Sequence, residues 1–257
     1  MSLIKFMKLI SLNTWGCRIT KPLFEYIKNC SQATEVFCFQ EILKGGKGKT
    51  DKDEVKSAYE DISNLLPKHT GYFFEYGDEG YYYEKRKDEV DFQFGIACFV
   101  QRDLSQTFKQ GIHLYDPQAV WKDYSGRFAA GAALAVQVQG YGIINVHGMW
   151  QGSIKEDTEA KIKQSKLLIE LSRSLQGKKI LCGDFNLLPH TQAVHLFCDK
   201  YTDLIKEYGI SDTRGSLYPY DLRYSDYIFT DKTMHVSGFA VPRLDLSDHL
   251  PLVVEFK

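Results

Sequence analysis

The stretch Cys182-Gly183-Asp184-Phe185-Asn186-Leu187-Leu188-Pro189 holds the side chains best suited to chemistry. Asp184 is an acceptor-only carboxylate, and Asn186 is a neutral amide that can donate. They are two residues apart, so in extended backbone both leave the same face. Such a pair at a strand end can orient an attacking water and steady a phosphoryl oxygen. Taken alone, the stretch reads equally well as an Asx turn in which Asn186 caps the next segment. Residues 178–181 (KKIL) read as the exposed start of a short buried strand, Gly183 breaks the apolar run, and Pro189 stops a continuing ladder.

Other apolar runs deliver polar residues to their ends in the same way. The β-type run 8–13 ends in Asn13-Thr14-Trp15, the strand predicted at 35–39 terminates in Gln40-Glu41, and the run 143–146 ends in His147. Asp226 stands near the start of a strand at 224–229, and Asp248-His249 precede the apolar run 250–254. Singly, each has an ordinary explanation: a turn Asn, a solvated Glu, a satisfied core His. Periodicity predicts helices over 22–30 (Pro22 near its first turn), 53–66, 156–175 (with Gly177 as its stop), 191–198 and 204–208. Further strands are expected at 94–100, 107–114, 129–139 and 236–241, with a hairpin through Gly140-Tyr141-Gly142. Two polar stretches stand out. The Gly/Lys run 44–52 (KGGKGKTDK) lacks P-loop spacing and reads as a loop at the rim. Residues 81–87 (YYYEKRK) set an aromatic cluster beside a basic one, which suits either a solvated hairpin or base stacking with phosphate neutralisation.

Composition narrows the class. The chain has 257 residues, 44% hydrophobic and 25% charged, ordinary values for a globular protein with ample core. Lys+Arg 32 against Asp+Glu 33 gives a net charge of -1, which excludes a strongly basic nucleic-acid coat but not a few phosphates gripped in one cleft. Six cysteines without a CxxC pair argue against structural zinc and look like small core residues of a reducing compartment. No apolar run approaches transmembrane length, and residues 1–12 make a poor signal peptide, so a cytoplasmic location is expected. With no repeat, low-complexity block or linker, residues 1–257 read as a single domain.

Together, Asn13, Glu41, His147, Gly183-Asp184-Phe185-Asn186, Asp226 and Ser247-Asp248-His249 resemble, in order and type, the endonuclease/exonuclease/phosphatase superfamily. The resemblance runs from Asn13 to His249, and GDFN followed by SDH is its most specific pairing. It implies a four-layer α/β/β/α sandwich of two packed mixed sheets, with the site at one edge, and metal-dependent cleavage of a phosphoester. It makes Glu41 the principal Mg²⁺ ligand (Mn²⁺ as substitute), with Asn13 beside it and Asp248 completing that site or a second one. Asp184 would align and help deprotonate the nucleophilic water. Asn186 and His147 would donate to the phosphate, and His249 would act there with its tautomer fixed and its basicity raised by Asp226.

Some departures bear on the substrate. Trp15 stands where abasic-site endonucleases carry an acid. Deoxyribonuclease-type members pair the mid-chain His with an upstream Glu, and none of Glu75, Glu79, Glu84 or Glu89 can be assigned to His147 from sequence. Arg127, Arg214 and Arg223 are left open between phosphate contacts and surface pairing. The leading expectation is a Mg²⁺-dependent phosphodiesterase of nuclease type, with a phosphomonoesterase or a phospholipid or small-molecule phosphodiesterase as alternative. An idle binding module on the same fold is disfavoured because Glu41, Asp184 and His249 are all present. The expected partner is the phosphoester substrate, nucleic acid among the candidates, with no obligate protein partner evident.

Overall fold

A computed structural model describes residues 6–76, 90–114, 131–152 and 154–257. The aromatic-basic stretch 81–87, Glu79, Glu84, Glu89, Arg127 and the start of the strand predicted at 129 lie outside the described residues.

Two six-stranded mixed sheets form the centre. The first has strands β1 (Met7–Asn13), β2 (Val36–Lys44), β3 (His69–Glu75), β4 (Gln93–Gln101), β11 (Val236–Ala240) and β12 (Leu252–Phe256), in the order β11-β12-β1-β2-β4-β3. The second has β5 (Gln106–His113), β6 (Ala132–Val138), β7 (Tyr141–His147), β8 (Lys179–Asp184), β9 (Tyr201–Asp203) and β10 (Asp226–Asp231), in the order β5-β6-β7-β8-β10-β9. Helices α1 (Thr20–Cys30), α2 (Ala58–Leu65), α3 (Glu159–Arg173), α4 (Gln192–Cys198) and α5 (Leu204–Glu207) complete the expected α/β sandwich. Among the described residues no helix is long and apolar enough to cross a membrane.

The period of two along β2 explains the layering. Val36 and Cys38 join the core shared with the second sheet, while Phe37 and Phe39 pack with Leu23 and Ile27 of α1 and Ile62 of α2. Both faces of the strand are therefore apolar, as a strand between two layers requires.

Three elements differ from the sequence reading. The helix expected from 53 starts at Ala58, because Asp53 has φ 65° and Val55 is bridged to Lys49. The long helix is shorter at both ends: Thr158 caps it by accepting from Lys161 N, and it closes at Ser174, so Gly177 (φ 67°) serves the turn into β8 rather than the helix stop. The strand expected to end at Gln40-Glu41 runs on to Lys44, with a bulge between Phe39 and Ile42. That bulge matters most for function.

Candidate active site

The registers bring the polar strand ends into one row. β7 and β8 are parallel with His147 opposite Asp184, and β10 is antiparallel with Asp226 opposite Asp184. Asp184 is thus flanked in register by His147 and Asp226. In the other sheet, β1 and β2 are parallel with Asn13 opposite Gln40. The ladder continues through Gly183, so that residue does not break the strand; its φ of 134° and its close approach to the Val146 carbonyl leave no room for a Cβ.

Glu41 reaches the site because of the bulge. It has φ 56°, a conformation a non-glycine residue holds only where its surroundings enforce it. Those surroundings are hydrogen bonds. Thr14 Oγ1 donates to the Gln40 and Glu41 carbonyls at 2.9 and 3.0 Å, and Glu41 N donates to the Tyr76 hydroxyl at 3.2 Å. From the opposite sheet, Asn145 donates to the carbonyls of Phe39 and Ala97, both at 3.0 Å, and accepts from Gln40 Nε2 at 2.6 Å. Asn13 Nδ2 then joins the two sheets at the site, donating to Glu41 Oε1 at 3.0 Å and Asp184 Oδ2 at 3.2 Å.

Asp184 and Asn186 do not share an extended backbone as the spacing suggested. Asn186 has φ 54°, and its N–H donates to Asp184 Oδ1 at 2.8 Å. This is the Asx turn, formed by Asp184 rather than by Asn186. The Asn186 amide donates to the Gly148 carbonyl at 3.0 Å and accepts from Lys155 Nζ at 2.9 Å. Lys161 donates to the Asn186 carbonyl at 3.0 Å, so two lysines hold this residue.

His147 is partnered by Tyr76, its hydroxyl 2.6 Å from Nδ1. That hydroxyl can donate while it accepts from Glu41 N; with its proton assigned to Nδ1, the imidazole carries its hydrogen on Nε2. Nε2 lies 3.8 Å from both Glu41 Oε1 and Asp184 Oδ2. Of the glutamates weighed from sequence only Glu75 is among the described residues, and it accepts from Gln93 Nε2 at 2.7 Å instead; Tyr76, one residue past it, is the partner described for His147. An aromatic at a strand end carries no mark separating it from a core tyrosine, so no local signal pointed to it.

His249 Nδ1 sits 2.9 Å from both Asp226 oxygens, as expected, and Asp226 also accepts from Thr213 Oγ1 at 3.0 Å. The assigned tautomer puts the proton on Nδ1, leaving Nε2 to accept from Arg214. The expectation of raised basicity is corrected here: burial and then Arg214 push His249 down to about 3, and burial and Asp184 push the Asp226 carboxyl up. Burial likewise lowers His147 to about 4. Both imidazoles are neutral at pH 7. Asp184 behaves oppositely. Burial works against its charge, but His249, Lys155 and Arg214 overcome that and hold it well below the usual carboxylate range.

Glu41 is the acid fitted to a cation. Among the described residues only Asn13 donates to its carboxylate, and 18% of its side chain is open. Burial, followed by the charges of Asp248, Glu54 and Asp184, pushes it up to about 8. A hard cation would relieve that repulsion, and carboxylate and amide oxygens are the donors such an ion prefers. Asp184, Asp226 and His249 also lie within metal-ligating distance of one another, but their mutual hydrogen bonds already satisfy much of their capacity. Asp248 is paired with Arg214 at 3.1 Å.

Arg214 is buried and central: it contacts Asp248, His249 and Ser225 and stacks on Tyr218 at 4.3 Å. Arg223 instead reaches the Gly215 carbonyl outside the cleft lining. The cleft, about 540 Å³, is lined by Glu41, His147, Lys155, Asp184, Asn186, Arg214, Asp248 and His249, with Trp15, Trp150, Tyr218 and Tyr220 among its walls. Asn13 and Asp226 lie behind this surface. The Gly/Lys loop 44–52 does not line it.

The family model for the endonuclease/exonuclease/phosphatase family matches residues 10–249, the span from the first strand to His249. The chain belongs to the endonuclease/exonuclease/phosphatase family. As such it is a hydrolase of phosphoester bonds, of a family that generally uses a divalent metal. Solved structures share the fold at low identity. A family protein from Beutenbergia cavernae has a TM-score of 0.71 at 15% identity, covering 98% of this chain and 72% of that one. A mannosyl-6-phosphatase from Bacteroides thetaiotaomicron has 0.68 at 19%, covering 98% and 99%. The human nocturnin catalytic domain, solved with a sulfate anion, has 0.61 at 16%, covering 98% and 93%. A search of the curated proteins returns no match.

Proposed function

We propose that the cleft hydrolyses a phosphoester of a small substrate by in-line attack of water. The observation that carries this reading is the juxtaposition of an ionised Asp184, the neutral pair His147 and His249, and an under-coordinated Glu41 in one cleft. A divalent cation, Mg²⁺ by the oxygen donors available, would be held by Glu41 with Asn13 and Asp248 beside it and would neutralise phosphoryl charge. Asp184 orients the attacking water and takes its proton, while His249, whose Nε2 lies 3.6 Å from Asp184 Oδ2 and accepts from Arg214, holds that guanidinium beside the phosphoryl group. His147 Nε2–H donates to a non-bridging oxygen as charge builds. Asn13 and Lys155 keep Glu41 and Asn186 in place. The P–O bond to the leaving oxygen breaks as the water oxygen bonds to phosphorus, and the leaving oxygen takes a proton from solvent.

A nuclease-type diesterase remains the second reading. Its local support was the basic loop 44–52 and the stretch 81–87. The first is off the cleft, and the second lies outside the described residues. The aromatic walls and cleft volume suit a small ligand, and a sugar phosphatase also shares the fold.

The test is Mg²⁺-dependent hydrolysis across single- and double-stranded DNA, RNA, an inositol polyphosphate, hexose phosphates and aryl phosphoesters, with Asp184→Ala and His249→Ala beside wild type. Activity that requires the metal and disappears in both variants is expected. A folded protein that binds Mg²⁺ yet keeps its activity in both variants would sink the mechanism.

A further inference from the structure

Lys155 has no counterpart in the sequence reading. It belongs to the segment between β7 and α3 and is 4% exposed. Its ammonium donates to Asn186 Oδ1 at 2.9 Å and to Ser225 Oγ at 3.1 Å. Ser225 Oγ in turn donates to Asp184 Oδ1 and accepts from Arg214 at 3.2 Å, so it ties both cations to the central carboxylate. An ammonium has three donors, and these contacts occupy two. Among the described residues no carboxylate lies within ion-pairing distance of it, whereas Arg214 is paired with Asp248. A buried cation without a paired acid is costly, and it borders the cleft. An anion arriving from solution would supply the partner that the described residues do not.

We propose that Lys155 binds the phosphoryl group directly, with Arg214, and makes this cleft selective for a phosphomonoester dianion over a phosphodiester. The proposal rests on the phosphoesterase reading above. A diester offers two non-bridging oxygens sharing one negative charge; a terminal phosphoryl offers three sharing two. His147 serves one oxygen, and Arg214 is already partly neutralised by Asp248. The additional charge of the monoester is what the free donor of Lys155 matches. Trp15, Trp150 and the exposed Tyr220 line the same cleft and supply aromatic surface for the leaving group.

The experiment compares 4-nitrophenyl phosphate with methyl 4-nitrophenyl phosphate, which share a leaving group, in the full chain with Mg²⁺. Wild type, Lys155→Met, Lys155→Gln and Lys155→Arg are measured, and inorganic phosphate binding is followed by calorimetry in the same proteins. A charge-assisted hydrogen bond of about 1.5–3 kcal/mol converts to roughly a 10- to 150-fold loss. That loss is expected in kcat/KM for the monoester and in phosphate affinity in the Met and Gln variants, with the diester changed several-fold at most and partial rescue by Arg. Wild type that prefers the diester, or equal losses on both esters, overturns the proposal: Lys155 would then only position Asn186. In that case metal-dependent activity sensitive to Asp184→Ala leaves the phosphoesterase reading standing. Hydrolysis of neither ester, with phosphate binding that still depends on Lys155, counts against hydrolysis and for the anion site. Phosphate binding indifferent to Lys155 overturns the site itself.

Discussion

Asn145→Leu tests how the site is held. Asn145 is fully buried between the sheets, and leucine keeps its branched outline of four heavy side-chain atoms, with bulkier methyls, while three hydrogen bonds disappear. Each lost bond removes about 1 kcal/mol net. The larger cost is what remains: the Phe39 and Ala97 carbonyls beside the bulge, and the Gln40 amide, with no water to take Asn145's place. At about 1–3 kcal/mol for each buried group left unpaired, the total is about 3–6 kcal/mol, discounted because Gln40 Nε2 also lies near Ser11 Oγ and the Cys38 carbonyl. At about 2–4 °C per kcal/mol for a chain of this size, the melting temperature should fall by roughly 6–24 °C. The variant should still fold, given stabilities of about 5–15 kcal/mol. The Phe39 carbonyl sits at the bulge that gives Glu41 its left-handed backbone, so the folded variant should also bind Mg²⁺ or Mn²⁺ several-fold more weakly. Urea unfolding and calorimetric metal titration measure the two effects separately. A destabilisation under 1 kcal/mol would mean the carbonyls find other partners. A large destabilisation with unchanged metal affinity would refute the link between the inter-sheet amide and Glu41.

Two further outcomes follow from the same geometry. Tyr76→Phe keeps the ring, which packs edge-on to Phe94 at 4.9 Å, but removes the donor to His147 Nδ1 and the acceptor for Glu41 N; kcat should fall about tenfold with KM little changed and the fold intact by circular dichroism, and an unchanged kcat would remove Tyr76 from the machinery. His69 lies away from the cleft, its Nε2 on the Thr34 carbonyl, and burial lowers its pKa. The unfolded chain therefore takes up a proton near pH 6.5 that the folded one resists, so His69 contributes a loss of stability as pH falls through and below 6.5. Unfolding free energy measured from pH 7.5 to 5 should show a slope that His69→Gln reduces; an identical slope in the variant would rule that contribution out.

Much of the chemistry was legible in the chain because it depends on residue type and order. Asn13, Glu41, His147, Asp184, Asp226, Asp248 and His249 each stand at or beside the edge of an apolar run, and those runs marked the strands. The two packed sheets came from the family resemblance; the continuous apolar run of β2 fits them, since it buries alternate residues on opposite faces. Side-chain partnership across distant segments was not legible. Tyr76 and His147 are separated by 71 positions, and Lys155 and Ser225 by 70. A tyrosine, a lysine or an asparagine has the same local signature in a core, on a surface or in a site.

The backbone strain was equally hidden. Nothing in the type of Glu41 or Asn186 announces a left-handed conformation; it arises from Thr14, Tyr76 and Asn145 in one case and from Lys161, Lys155 and Asp184 in the other. Sequence alone gave away the family, the reaction class and the candidate acids and histidines, because these follow from ordered residue types. Tertiary structure decided which group faces each histidine nitrogen, which arginine enters the cleft, and that a buried lysine faces it without a paired acid among the described residues, because each depends on distances set by packing two sheets together.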